Sequence, residues 1–134
     1  PVYLANAAPL ATPADLKAHR CLQYGYSGAL NQWRLTSEDG ERAWPIHCAM
    51  WSNNGDVLKA AAIADQGIAL LPTFIVGGEL QSGNLVSVLN DYAPSELVLS
   101  ALYPRHRHLS AKVRLFVDLL NERFGSRPYW DLVS

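Results

Sequence analysis

At 134 residues, with 49% hydrophobic and 17% charged side chains, the chain is long enough for one domain with a core of its own. A net charge of −1 leaves no basic footprint, which argues against nucleic-acid binding by this segment alone. Cys21 and Cys48 are too few and too far apart in sequence for a disulfide framework or a metal site, so reduced, buried thiols are expected. No stretch reaches the length of a membrane span and nothing at the start reads as a signal peptide; a cytoplasmic protein is expected.

In chain order, residues 1–6 read as a short helix or turn. Thr12-Pro13 is a helix-start pair, with proline at the first helical position where its missing N–H costs nothing, and a short helix over 13–18 follows. Arg20-Cys21-Leu22-Gln23-Tyr24 alternates polar and apolar residues, the period of a half-buried strand. Tyr26-Ser27-Gly28 is then a loop at that strand's carboxyl end, where ligands collect in α/β sheets; its bland alternative is an inert surface loop. Residues 31–36 and 42–49 read as two strands joined by Ser37-Glu38-Asp39-Gly40-Glu41, the Asp-Gly pair supplying the turn. Trp33 and Trp44 would face each other across that hairpin. His47-Cys48 is no catalytic dyad, because neighbours along a strand point to opposite faces.

Residues 52–88 hold the organising stretch. Asn53 or Asn54 can cap a helix through a side-chain oxygen, and Val57, Ala60, Ala61 and Ala64 recur at the spacing of one helical face, narrow enough to lie close on a sheet. Gly67 stops the helix, and Ile68-Ala69-Leu70-Leu71, ended by Pro72, reads as a buried strand. The head of such a helix carries outward N–H groups with partial positive charge, suited to a polar or anionic small molecule, although most helix starts are merely capped. Residues 74–80 suggest a short, weak helix closed by Gly83. Leu85–Leu89 and Glu96–Tyr103 read as strands flanking a turn-rich connection, and Arg105-His106-Arg107-His108 as a solvated or interface loop, since interleaved arginines oppose a cation. A final helix runs from about Ser110 to Phe124. Val113, Phe116, Val117, Leu120 and Phe124 share one face, and Leu115 and Leu119 widen it.

Asn53-Asn54-Gly55, the alanine-rich helix, Gly67-Ile68-Ala69-Leu70-Leu71-Pro72 and Gly83-Asn84-Leu85-Val86-Ser87-Val88-Leu89 resemble the effector-binding domain of LysR-type transcriptional regulators. So do Pro1-Val2-Tyr3-Leu4, the run Pro13–Leu22, and Tyr103-Pro104 through Phe124. The match covers nearly the whole chain. One departure is Asp65, where the family often has glycine; aspartate tolerates the left-handed conformation better than most residues. The resemblance implies an α/β, periplasmic-binding-protein-like (type II) lobe with a mixed sheet flanked by helices, plus a C-terminal helix belonging to the other lobe. Residues 1–100 would be the second effector-binding subdomain and 101–134 the return to the first. The start at Pro1, without methionine or lead-in, is read as that of a piece of a longer protein, whose helix-turn-helix head and first lobe lie elsewhere.

What it implies for function is a sensor. A small-molecule effector would sit between two lobes, lined here by Tyr26, Ser27, Ser52, Asn53 and Asn54. DNA would be touched only through the absent head, no membrane is involved, and the intact protein would be a homo-oligomer. No cofactor, metal or catalytic residue is expected, and no enzyme: no Ser-His-Asp order, Cys-His pair, carboxylate dyad or phosphate-cradling glycine loop is present. The alternative is the lobe of a transport system's solute-binding protein, which shares the two-lobe architecture.

Overall fold

A computed structural model of the chain describes residues 2–25, 31–94, 100, 102 and 111–124. Its elements run α1 (Val2–Asn6), a 3-10 helix (Pro13–Ala18), β1 (Arg20–Tyr24), β2 (Gln32–Ser37), β3 (Gly40–Pro45), β4 (His47–Ser52), α2 (Gly55–Ile63), β5 (Ile68–Ala69), α3 (Thr73–Gln81) and α4 (Ala111–Arg123). Three strands form a parallel sheet in the order β4-β1-β5, while β2 and β3 form a separate antiparallel hairpin. Parallel strands need crossovers, and α2 supplies the one from β4 to β5, packing on all three strands.

The core joins these layers. Leu16 of the 3-10 helix, Cys21 of β1, Trp33 and Leu35 of β2, Ile46 and Ile68 of β5 form one buried cluster. The hairpin therefore lies over the sheet with the inward residues of β2 alternating with exposed Gln32, Arg34 and Thr36. Trp33 pairs with Trp44 across it, as the spacing predicts, and the Trp33 indole N–H donates to Gln23 Oε1 at 2.7 Å, tying the hairpin to β1. Gly40 closes the turn with a φ of 98°.

The predicted strand over 42–49 is two strands. β3 stops at Pro45, which has no N–H to continue a ladder, and Ile46 turns inward with its N–H bonded to Asn31 O at 2.8 Å. The chain thereby leaves the hairpin and enters the parallel sheet beside β1. The strand expected over 85–89 also fails to form. Leu89 has a φ of 56°, a left-handed kink, and the segment closes into a turn through Tyr92 N–H to Leu89 O at 2.8 Å. It is instead Ala93 that reaches the hairpin, exchanging backbone bonds with Thr36 at 2.7 and 2.9 Å.

Helix α2 forms where expected but presents another face. Gly55 and Leu58 are buried, whereas Val57, Ala60 and Ala64 are exposed. A fully buried leucine outweighs a stripe of alanines in apolar area, and Gly55 permits the approach because a Cβ there would collide with Ile75 of α3. The helix ends in a Schellman motif: Gln66 N–H bonds Ala61 O at 3.0 Å and Asp65 N–H bonds Ala62 O at 3.1 Å, with Asp65 itself left-handed at φ 58°. The expected strands and loops over 96–99, 101 and 103–108, the Ser110 cap and the tail 128–131 lie outside the described residues.

Candidate ligand mouth at the head of α2

The parallel strands β1 and β4 end side by side, with Tyr24 registered on Ser52. Gly25 N–H donates to Ser52 O at 3.2 Å, so the chain leaves β1 directly against the end of β4. After Asn53 and Asn54, α2 begins at Gly55. This is the carboxyl edge of an open α/β sheet, the edge at which ligands bind in such folds.

Ser52, Asn53 and Asn54 come together here. Ser52 Oγ accepts the Asn54 N–H at 3.0 Å, and Asn54 Oδ1 accepts from Asp56 N at 3.0 Å and Val57 N at 3.4 Å. Asn54 is thus the helix cap, and its oxygen occupies two of the first-turn donors that the sequence had suggested for a ligand. Asn53, between Ser52 and the cap, is exposed. Tyr26 and Ser27 lie outside the described residues. Asp56 adds negative charge to the first turn, and Lys59 bonds its carboxylate at 2.9 Å.

Two features were not legible in the sequence. One is an apolar cavity of about 380 Å³ at the opposite end of α2, lined by Leu16, Trp33, Leu35, Ile68, Leu70 and Val88 among others. It does not touch Ser52, Asn53 or Asn54. The other is His19, 1% exposed, whose Nε2 has no hydrogen-bond partner among the described residues. The Tyr3 hydroxyl accepts the Arg20 N–H at 2.9 Å and pairs with His19 Nδ1 at 3.3 Å. Tyr3 N–H in turn donates to Asp65 Oδ1 at 2.8 Å, so this network fastens α1 to β1 and to the end of α2. No single residue type signals such a node, because its parts come from positions 3, 19 and 65.

Residues 1–125 match the family model for the LysR substrate binding domain, and the chain belongs to that family. The fold is accordingly that of the periplasmic-binding-like regulatory domains of LysR-type regulators. Among similar proteins, the HTH-type transcriptional regulator PtxR of Pseudomonas aeruginosa is 31% identical over 131 residues, covering 96% of this chain and 41% of that protein. An uncharacterized HTH-type transcriptional regulator of Haemophilus influenzae is 36% identical over 115 residues, 84% of this chain and 39% of the relative. The regulatory domain of AphB from Vibrio vulnificus superposes with a TM-score of 0.70 at 25% identity, covering 91% of this chain and 61% of that domain. The chain therefore spans about two fifths of these full-length relatives.

Proposed function

We propose that this chain is the second lobe of the effector-sensing domain of a LysR-type transcriptional regulator, with residues 1–100 forming the lobe and 101–134 returning to the first. A small molecule bound at the carboxyl ends of β1 and β4 shifts the balance between two arrangements of the lobes, which requires different affinity for each. The observation that carries this reading is the convergence of those strand ends with the head of α2 at an exposed, polar edge. Tyr26, Ser27, Ser52, Asn53 and Asn54 are its proposed lining, with Asn54 and Ser52 shaping the helix head and Asn53 contacting the ligand. DNA contact belongs to the helix-turn-helix of the intact, oligomeric, cytoplasmic regulator, and no chemical step is carried out. The regulators among its relatives support this role over transport.

A metabolite screen by thermal shift on the intact regulator tests it. A true effector raises the melting temperature, and Asn53→Ala weakens its binding about tenfold or more while leaving the unliganded melting temperature in place. Undiminished binding by Asn53→Ala and Ser52→Ala would place the effector elsewhere.

A further inference from the structure

Cys21 and Cys48 are far apart in sequence yet are direct partners in the register of β1 and β4. Both are free thiols, Cys21 fully buried and Cys48 half-buried. Registered residues of parallel strands share a face, and Cys48 packs against the cluster that contains Cys21. Their hydrogen bonds are weak ones to carbonyl oxygens, Cys21 to Leu16 at 3.6 Å and to His19 at 3.7 Å, Cys48 to Met50 at 3.4 Å.

We propose that this thiol pair is a two-coordinate site for a soft, thiophilic metal ion. Spacing decides between an ion and a disulfide. Side chains registered on neighbouring parallel strands stand about 4.8 Å apart, whereas a disulfide draws its Cβ atoms to about 3.8 Å, so the two Cβ atoms would have to tilt towards each other by about 1 Å. Two metal–sulfur bonds of about 2.3 Å set end to end span about 4.6 Å, which fits the ladder nearly as it stands. Donor count decides which ion. No group of three or more His, Cys, Asp or Glu is assembled among the described residues, which leaves tetrahedral zinc without its ligands and favours a linear d10 ion. A divalent ion forms a neutral bis-thiolate, the form an apolar site tolerates: each thiol gives up its proton, two sulfur–metal bonds form, and nothing is oxidised. Burial pushes the Cys21 thiol up to about 11, so the ion must displace a proton there, which soft metals do outright. Entry is from the Cys48 side. Next to it the register slips, Leu22 pairing with Met50, so Ala49 is an extra residue that lets β4 adjust.

The test is mercuric ion added to the 134-residue chain in the presence of excess glutathione, read by native mass spectrometry and ultraviolet sulfur-to-metal charge transfer. Wild-type chain should retain one ion with loss of two protons, while Cys48→Ser and Cys21→Ser should each lose about a hundredfold in retention, the advantage of two tethered ligands over one. Cys48→Ser, on the half-buried side, remains decisive should Cys21→Ser fail to fold. Retention by either folded variant, surrender of the ion by wild type to glutathione, or an ion bridging two chains would overturn the assignment.

Discussion

Gly67 carries a φ of 151°, and a Cβ there would run into the backbone carbonyl of Arg20. Neither strain has a flexible side chain to absorb it, so Gly67→Ala should destabilise the fold by about 2–4 kcal/mol in urea melts, well above an ordinary surface change. Wild-type stability in Gly67→Ala would mean that the turn between α2 and β5 is looser than described. Gly67 and Asp65 were readable from the sequence because left-handed backbone restricts the residue types that can serve. The cap was readable as Asn53 or Asn54 for a similar reason, since few side chains are short enough to bond the helix's own first turn, and the structure makes it Asn54. Asn53 and Ser52 were less so, since whether a polar residue binds, caps or simply meets water depends on what stands across from it.

Among the elements, the 3-10 helix shows how a local motif becomes a pH dependence. The Asp15 carboxylate accepts the N–H groups of Thr12 at 2.9 Å and Ala11 at 3.1 Å, and these bonds hold its pKa below the usual 3.8, Thr12 contributing most. A carboxyl whose folded pKa is depressed stabilises above its unfolded value and loses that contribution as pH falls through the folded one. Stability should therefore decline from about pH 5 downward, and Asp15→Asn should remove part of that acid-side slope while lowering the plateau near neutrality. An unchanged slope in Asp15→Asn would assign the acid loss to other carboxylates. The elements also show where periodicity misleads. Helix α2 was correctly placed, but its buried face is set by Leu58 and Gly55 and not by the alanine stripe. The run 42–49 looks continuous because β3 and β4 follow one another with only Ile46 between them; that they belong to different sheets is a long-range fact.

At the scale of the whole molecule, α4 is the outlier. None of its residues is buried, and Leu115, Phe116 and Leu119 are 68%, 58% and 54% exposed. On the proposed reading of the chain as one lobe, this face is covered by the other lobe of the intact regulator. Phe116→Glu or Leu119→Glu should leave the stability of this chain unchanged, within about 0.5 kcal/mol, in urea melts. In the intact regulator the same changes should cost about 2 kcal/mol or more, the burial of a large side chain. Equal effects in both proteins would show that α4 faces solvent throughout.

By itself the sequence determined the family and several local pieces: the placement of α2 and its asparagine cap, the left-handed Asp65, the β2–β3 turn, and the joint pattern around Asn53-Asn54-Gly55 and Gly67–Pro72. These depend on residues within a few positions of one another, where backbone geometry and hydrogen-bond reach leave few choices. Only the tertiary structure decided which face of α2 is buried, that β3 and β4 part company, that Tyr3, His19 and Asp65 meet, and that Cys21 stands beside Cys48. Those outcomes follow from how apolar area is shared between segments remote in sequence, and no short window of the chain contains that competition.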